Sequence, residues 1–464
     1  MSIVLLLIVL VPFLALIPLV ALGKRYSYYV SIAASAVVFL LTIYALYVTT
    51  TGGAASLAFS QLYIPQLGLN FGLQVNQYTI MLLAMTSIVF LAASIVGKYF
   101  INSRDLLYNI IFLIAAGASL GVFISSNLVF FYVFWEISEV MMFFIIFLFG
   151  GYNRRYAGIK FLLYSIASSL LLLIAVITLY TSLHTFDIAS LIQNSGSLSI
   201  PTQLFVMALF VLSFMIKVPV FPFHTWLPDA HTEAPTTGSM ILAGVLLKFG
   251  GYGLLLMFEI LPVATIYAPY LFIIFLLSTV YAAFVSLHQT NIKRLIAYTS
   301  ITDMGIVGVG LAAANTFGYS GAVYAMLNHG IAISILFLIA GTLDELYGTL
   351  DIGKIKGVAK NFPIVFYIFL IGAFTALGIP LTSGFIADLL VFIGAFGTFG
   401  VIGLLPLFGV IIMGAALFWV IERSFVNNAH ATEPYNILDD TVMIASAILI
   451  MAAIFFGILP SIFV

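Results

Sequence analysis

Apolar runs about twenty residues long recur along the whole chain, and only short stretches of Gly, Pro, Asn and charged residues separate them. A helix of about 20 apolar residues is what the hydrocarbon core of a bilayer requires. Only 7% of the residues are charged, whereas soluble domains carry about 25%. This shortage excludes a soluble globule, a disordered chain and a nucleic-acid-binding protein with a basic surface. The sequence therefore predicts an all-α polytopic membrane protein.

The interruptions divide the chain into roughly fourteen predicted membrane spans of sufficient length. These spans are residues 3–22, 28–47, 78–97, 107–124, 128–149, 157–180, 204–223, 236–257, 267–287, 295–313, 318–342, 365–395, 401–421 and 441–463. No linker or low-complexity tract separates soluble domains. We therefore expect the whole chain to form one membrane unit.

Basic residues test this division, because Lys and Arg concentrate in the loops on the inner side of a membrane. If the N-terminus lies outside, all but two of the 15 Lys and Arg residues fall on the inner side. The long opposite loops, residues 49–77 and 181–202, contain neither Lys nor Arg. We therefore expect both termini on the outer side of a prokaryotic cell (inner) membrane. The two remaining basic residues, Lys217 and Lys248, lie inside predicted spans.

The sequence contains no Cys. This excludes disulfides, thiolate zinc sites and cysteine-ligated iron–sulfur clusters within the chain. We therefore expect no cofactor and no metal in this chain. Any electron transfer that it serves must take place in a partner subunit.

Two predicted spans are interrupted by Pro and Gly, the seventh at residues 217–222 and the twelfth at residues 378–384. Paired interruptions are typical of transporter folds built from structural repeats, in which broken helices line a polar pocket at mid-membrane. The offset of five spans predicts two five-helix repeats of inverted topology. Pro kinks are also frequent in ordinary membrane helices, so this alternative stays open. The predicted regions are residues 1–106, 107–257 and 258–421, with a C-terminal helix in 422–464.

Ionisable residues inside the spans are the main candidates for function. Each charge at bilayer depth costs about 2.5–3.5 kcal/mol even on insertion scales, so it is a functional hypothesis by default. The candidates for a proton relay are Glu136, Lys217, Lys248, His329 and Asp388. A Glu136–Lys217 pair that opens and closes would switch the lysine between holding and releasing a proton. The alternative is a static ion pair that ties helices together.

Further candidates lie near these residues or at the inner ends of spans. Glu139 follows Glu136 by three residues and shares its helical face, either as a second proton site or as a hydrogen-bonding group. Asp303 and His288 lie near the inner ends of the tenth and ninth spans, where they are candidates for a proton entry route.

The inner connection at residues 223–235 is rich in ionisable side chains. His224, Asp229, His231 and Glu233 match zinc-type ligands in kind, but the segment lacks a helical H-E-x-x-H register. We interpret it as a loop that forms a rigid, hydrogen-bonded mouth below the broken seventh span. His224 is the member of this segment that we add to the candidate proton path.

Several segments together carry a resemblance to a known family. They are residues 217–236, 241–248, 289–300, 327–330 and the Phe-Trp-Glu at 134–136. In them the sequence closely resembles the antiporter-like proton-pumping subunits of respiratory complex I, in the subunit M (mitochondrial subunit 4) branch. The resemblance implies fourteen helices with two inverted five-helix repeats, each containing a broken helix. It also implies other antiporter-like subunits and redox subunits as partners, with flavin, iron–sulfur clusters and quinone bound in other chains.

The resemblance assigns roles by position. Glu136 resembles the fifth-helix glutamate that pairs with Lys217 of the seventh helix. Lys248 resembles the central proton relay, and His329 resembles the eleventh-helix histidine. Asp388 stands where this branch has a glutamate and its sibling subunits a lysine.

Some positions depart from the family pattern. Asn291 stands where family members commonly carry Asp, and Asp303 stands where they commonly carry His. These departures affect the expected proton entry path and leave the central relay unchanged. Two other functions remain possible from the sequence: a subunit of a multisubunit cation/proton antiporter, and the membrane arm of a membrane-bound hydrogenase. Partner chains with Cys-rich cluster motifs would separate redox-driven complexes from an antiporter.

Overall fold

The structure is a computed structural model that describes residues 3–52, 57–64, 69–101, 103–427 and 438–460. Within these residues, 14 helices are long and apolar enough to cross a membrane, and they match the predicted spans in order. The helical membrane fold predicted from the sequence is therefore confirmed. The inverted-repeat relation, the region boundaries and the orientation in the membrane stay predictions, and inner and outer refer to the predicted orientation.

The N-terminal part contains three spans. They are formed by α1 (Ile3–Leu14) with α2 (Leu16–Leu22), by α3 (Ser27–Gly52) and by α4 (Gln77–Phe100). The start of α4 follows from its sequence, because the Asn76 side chain accepts hydrogen bonds from the Tyr78 and Thr79 backbone N–H groups. The Thr79 hydroxyl in turn accepts a hydrogen bond from the Asn76 N–H, which completes a capping box.

A β-hairpin in the outer loop before α4 is the one element that the all-α prediction missed. Strands β1 (Ala58–Ile64) and β2 (Leu69–Gln74) pair antiparallel, with Ala58 opposite Gln74. The hairpin is attached to the membrane helices because the Ser126 N–H donates a hydrogen bond to the Gly72 carbonyl oxygen. It therefore forms a cover over the outer ends of these helices.

The next helices contain the first break. They are α5 (Asp105–Ile124), α6 (Leu128–Phe149), α7 (Arg154–Leu183), the short outer α8 (Ile188–Asn194), α9 (Ile200–Lys217) and α10 (Trp226–Glu233). The predicted interruption of the seventh span is confirmed, since α9 ends at Lys217 and α10 begins at Trp226. Pro219 and Pro222 lie between the two halves and lack the N–H that would continue the helix. The predicted loop at 223–235 is wrong, because most of it is helical and forms the second half of the broken span.

The eighth span joins α11 (Thr236–Ile241), a π-helical turn (Leu242–Leu246) and α12 (Leu247–Ile260). The following spans are α13 (Val263–Ser286), α14 (Ile292–Ala312) and α15 (Thr316–Tyr347). The most apolar stretches of the eighth and eleventh spans are fully buried, so the centre of the molecule lies along them. Polar side chains on these spans are therefore shielded from lipid.

The C-terminal part contains the second break. Its helices are α16 (Val358–Asn361), α17 (Pro363–Ala376), α18 (Ser383–Phe399), α19 (Leu407–Val420) and α20 (Asp440–Ile458). The predicted interruption of the twelfth span is confirmed between α17 and α18. The thirteenth span starts later than predicted from the apolar run, because a 3₁₀ turn at Gly400–Leu404 extends the twelfth.

Candidate functional site

Lys217 is the last residue of α9, directly before the first break. The carboxyl end of a helix carries a partial negative charge, which favours a cation there. Its Nζ donates a hydrogen bond of 2.5 Å to Glu139 Oε1 on α6, and both side chains are 2% exposed. The structure therefore contains a closed, buried ion pair at this break.

This pairing corrects the expectation that Lys217 contacts Glu136. The helices α6 and α9 run in the same direction, because one antiparallel span, α7, separates them. Lys217 lies at the inner end of α9, and Glu139 lies one turn closer to the inner side than Glu136. Glu139 therefore matches the level of Lys217. In the structure Glu139, and not Glu136, is therefore the carboxylate that contacts Lys217.

Glu136 is half-buried on the same helix. Its Oε1 has no hydrogen-bond partner within the described part of the chain, and the Ser169 side chain of α7 approaches the carboxylate. Both Glu139 and Lys217 lie close enough to Glu136 to act on it electrostatically. Glu136 is thus next to the ion pair without being a member of it.

Three aromatic rings surround the Lys217 ammonium group. Its Nζ lies 5.8 Å from the ring centre of Trp135, 5.3 Å from that of Phe161 and 5.9 Å from that of Trp226. The Trp226 indole N–H also donates a hydrogen bond of 3.0 Å to the Ile216 carbonyl oxygen, which connects the two halves of the broken span. Aromatic faces attract a cation most strongly where water is excluded. The cage therefore favours the charged form of this lysine.

Lys248 occupies a second centre, on α12 directly after the π-helical turn. Such a turn changes the backbone hydrogen-bonding pattern and is frequent at functional sites. The Lys248 Nζ donates a hydrogen bond to the Ala243 carbonyl oxygen and lies 2.6 Å from His329 Nδ1 on α15. Both side chains are fully buried. Lys248 therefore contacts a carbonyl and an imidazole rather than a carboxylate.

Small residues allow this close contact between the eighth and eleventh spans. A Cβ placed on Gly244 would lie 2.8 Å from Ser334 Oγ, and one on Gly330 would lie 2.8 Å from the Gly244 carbonyl oxygen. Likewise, a Cβ on Gly250 would lie 3.0 Å from Lys217 Cβ. The glycine-rich segment after Lys248 thus brings α12 against the inner end of α9, and the two lysines lie on adjacent helices.

Asp303 and Asp388, which are both half-buried, extend the series of ionisable residues within the spans. Asp303 on α14 is close enough to interact electrostatically with both Lys248 and Asp388. Asp388 lies in the second turn of α18, and its side chain turns back toward the break. A Cβ on Gly378 would lie only 2.5 Å from Asp388 Oδ2, and Gly378 has a φ of +65°. Glycine is therefore required at this position both by the backbone and by the carboxylate.

The histidines of the inner side occupy different environments. His224 is buried at the start of the second half-helix, with its ring 5.2 Å from the ring of Tyr281. His288 is exposed and is not brought close to the two lysines. His231, which was not among the predicted relay residues, is fully buried and stacks on Phe337 at 4.6 Å. Neither ring nitrogen of His231 has a hydrogen-bond partner within the described residues.

Sequence reasoning placed His231 in a loop and so missed its burial. The signal that could have revealed it is Pro228, three residues earlier. Proline is tolerated in the first turn of a helix, so the segment can form α10. A helix directs the imidazole into the bundle, close enough to Lys248 and His329 for electrostatic interaction. His231 therefore belongs to the second centre.

Asp229 on α10 connects three helices at the inner end of the bundle. It accepts a hydrogen bond of 2.7 Å from Lys160 of α7 and another of 2.7 Å from Arg294 of α14. These side chains are 18% to 38% exposed, so the contacts lie at the edge of the protein. They hold the second half of the broken span in position next to the sixth and tenth spans.

Comparisons with known proteins identify the family of the chain. Residues 125–417 match the family described as "NADH:quinone oxidoreductase/Mrp antiporter, TM". The chain is 36% identical over 444 residues to the NADH-quinone oxidoreductase subunit M of Rickettsia prowazekii (strain Madrid E), covering 95% of this chain and 90% of that one. It is 42% identical over 336 residues to an NAD(P)H-quinone oxidoreductase chain 4 of Nostoc sp., covering 72% of this chain and 62% of that one.

Solved structures show the same fold. A chain of the respiratory complex I from Thermus thermophilus with bound NADH matches with a TM-score of 0.91 and 26% identity, covering 99% of this chain and 96% of that one. A chain of the Mrp complex from Dietzia sp. matches with a TM-score of 0.87 and 17% identity, covering 99% of this chain and 95% of that one. The second likeness shows the fold alone.

Proposed function

The chain belongs to the NADH:quinone oxidoreductase/Mrp antiporter family of membrane subunits, and we propose that it translocates protons as the M-type membrane-arm subunit of a complex I-like quinone oxidoreductase. Electron transfer takes place in partner subunits, which hold the flavin, the iron–sulfur clusters and the quinone. The chain lies in a prokaryotic cell membrane with both termini outside, next to other antiporter-like subunits. Its own task is to move charge through the bilayer.

The observation that carries this proposal is the series of buried ionisable side chains across the helix bundle. It begins at the Glu139–Lys217 pair, continues at Lys248 and His329, and ends at Asp388 beside the second break. Buried charges in membrane proteins mark proton and ion pathways. Each member of this series can hold a proton and pass it on.

The ion pair supplies a switch for the first step. An adjacent carboxylate favours the charged ammonium, whereas burial without a partner favours the neutral amine. When Glu139 moves away from Lys217, the lysine releases its proton toward the second centre. The Lys248 amine takes up the proton, and His329 at 2.6 Å accepts it next. Asp388 then accepts the proton at the second break.

Glu136 and Asp303 serve as further proton-carrying groups next to the two centres. Glu136 lies beside the ion pair and retains an unpartnered carboxylate oxygen within the described residues. Asp303 interacts electrostatically with both Lys248 and Asp388, so it links these two positions. His224 and His231 lie below them on the inner side and supply protons to the second centre, while His288 serves at the inner surface.

The test is replacement of Lys248 in the intact complex. We expect Lys248→Ala to abolish most proton translocation while the complex remains assembled, because no other side chain holds a proton at this position. The matched control is Lys354→Ala, which removes a lysine whose side chain is 74% exposed on an inner loop. Proton translocation per electron is measured in reconstituted vesicles with both variants. A normal ratio in Lys248→Ala contradicts the relay.

The choice of redox partner needs a second experiment. Native purification of the complex followed by mass spectrometry identifies the chains that accompany this subunit. Subunits with Cys-rich cluster motifs and a quinone-reducing activity support the proposal. A complex without any redox subunit contradicts it and supports a multisubunit cation/proton antiporter.

A further inference from the structure

A polar cavity of about 180 Å³ lies at the outer end of the eighth span, away from the two centres. The hairpin residue Gln74 and the helix-capping Asn76 line one side, and Ser125 and Ser126 line another. Glu259, near the end of α12, and Tyr252, deeper on the same helix, also line it, together with Thr79 and with apolar side chains of α8 and α12. The cavity therefore leads from the outer surface to a buried tyrosine.

Three residues of the eighth span lie on one face of the helix. Tyr252 follows Lys248 by one turn, and Glu259 follows Lys248 by three turns. With 3.6 residues per turn, these two positions are rotated from Lys248 by only about 40° and about 20°. The rise from Lys248 to Glu259 is about 16 Å. The face that carries the central lysine therefore continues to the outer cavity.

The side chains along this face suit transfer of a proton. The Tyr252 ring is held between Phe123 and Phe131, with ring centres at 5.9 and 6.0 Å, while the residue still borders the cavity. Glu259 is half-buried and forms no ion pair within the described residues. Its charge interacts with Tyr252 and with Tyr319 of α15. A carboxylate without a counter-charge, at a cavity large enough for several water molecules, can take up and release a proton.

We propose that this cavity is an outer proton-release port, through which Lys248 discharges by way of Tyr252 and Glu259. The proposal rests on the function proposed above and adds an exit on the eighth span. In the structure the Lys248 side chain points inward, toward Ala243 and His329. Release requires the ammonium group to rotate toward Tyr252.

The proton count of the step balances. Lys248 gives one proton to the Tyr252 oxygen and becomes the neutral amine, while the original Tyr252 hydroxyl proton passes to the Glu259 carboxylate. Glu259 then releases that proton to water in the cavity and returns to the carboxylate. One proton leaves on the outer side for each cycle, and Tyr252 ends unchanged.

The first test uses the intact complex in right-side-out vesicles. We expect Glu259→Gln and Tyr252→Phe each to lower the rate of proton translocation by about tenfold or more. A positioned proton-transfer group usually contributes about 10²- to 10⁴-fold, and this expected loss lies somewhat below the lower limit. Both changes preserve side-chain size, so assembly is retained. Glu422→Gln is the matched control, because Glu422 is exposed at the end of the thirteenth span. Wild-type rates in both outer-port variants overturn the proposal.

The second test uses the absence of Cys from the chain. Gln74→Cys places a thiol at the cavity, and Gln61→Cys places one on the partner strand of the same hairpin, outside the cavity lining. Treatment from the outer side with a membrane-impermeant cationic methanethiosulfonate should slow translocation about tenfold in Gln74→Cys only, because the added cation blocks release from Glu259. Equal effects in both variants, or no effect in Gln74→Cys, overturn the port.

The outcomes separate the two proposals. If Lys248→Ala translocates protons normally, the relay itself is wrong. If Lys248→Ala is inactive while Glu259→Gln and labelled Gln74→Cys are normal, the relay stands and the release port is wrong. If all three lose translocation, both are supported.

Discussion

The two broken spans carry opposite charges at their breaks. The first break follows Lys217, which forms an ion pair with Glu139 at 2.5 Å. The second break precedes Asp388, for which the described residues contain no ion-pair partner. A cation at the carboxyl end of a half-helix and an anion near the amino end of another both suit the partial charges of helix ends.

The difference between the breaks lies in how each charge is compensated. At the first break a carboxylate and three aromatic rings surround the lysine. At the second break the acid faces a glycine and the exposed backbone of the interruption. The first charge is therefore controlled by a movable side chain, and the second by the backbone geometry itself. The two sites should respond to different kinds of substitution.

The largest effect is expected from Glu139→Gln at the first break. This change leaves the Lys217 ammonium buried without its counter-charge, and loss of one partner of a buried pair costs about 3–5 kcal/mol. We expect proton translocation to fall by about 10²-fold, as for loss of a positioned proton-transfer group. The measurement is the initial rate of acidification in vesicles that contain the intact complex.

Glu136→Gln is the matched comparison, because it makes the same change one turn away. We still expect it to reduce translocation strongly, but less than Glu139→Gln. A larger loss in Glu136→Gln would show that the working pair is Glu136–Lys217 and that the Glu139 contact is only a resting state.

A smaller effect is expected from Gly378→Ala at the second break. The new Cβ would lie 2.5 Å from Asp388 Oδ2 at a φ of +65°, so it displaces the carboxylate. We expect proton translocation to slow about tenfold in Gly378→Ala and by a similar factor in Asp388→Asn, because both variants disturb one proton-transfer group. Gly348→Ala is the control, because Gly348 has a φ of +64° and nothing within 4 Å of an added Cβ.

The control separates backbone strain from displacement of the acid. A left-handed conformation costs about 1–2 kcal/mol for a residue other than glycine, and both variants bear this cost. Equal losses of translocation in Gly378→Ala and Gly348→Ala would show that strain alone accounts for the effect. A loss confined to Gly378→Ala supports the contact with Asp388.

Much of the fold was predictable because membrane helices have a strong sequence signal. Apolar runs marked the spans, and Pro and Gly marked both interruptions. The buried ionisable residues were also identified, because charges in apolar runs are rare and costly. Both broken spans, and the choice of Lys248 and His329 as candidates, therefore rest on features that local sequence carries.

The missed features depend on three-dimensional context. The choice of Glu139 over Glu136 depends on the relative heights of α6 and α9, which spacing within one helix does not specify. The helix α10 has Pro228 within its first turn, a position that tolerates proline, although its many polar residues resembled a loop. The hairpin β1–β2 forms in a connection between two spans. The length of apolar runs predicts spans but does not predict strands in such a connection.

The smallest predicted effect concerns the aromatic rings around the Lys217 ammonium group at the first break. Phe161→Leu removes the ring closest to the Lys217 ammonium, at 5.3 Å, while it keeps an apolar side chain. A desolvated cation–π contact contributes about 2 kcal/mol, and three rings share this cation. We therefore expect loss of one ring to cost about 0.5–1 kcal/mol, which is a loss of about two- to fivefold in translocation. The measurement is the same rate of vesicle acidification.

Phe210→Leu is the matched control, because Phe210 is buried on α9 and stacks on Phe214 rather than on the lysine. Both variants lose similar apolar packing, but only Phe161→Leu weakens the environment of the Lys217 charge. If the two variants lose translocation equally, the rings serve packing alone, and the first break is then controlled by Glu139 without help from the cage. If Phe161→Leu loses more, the aromatic rings help to hold the charged lysine in place until the carboxylate moves.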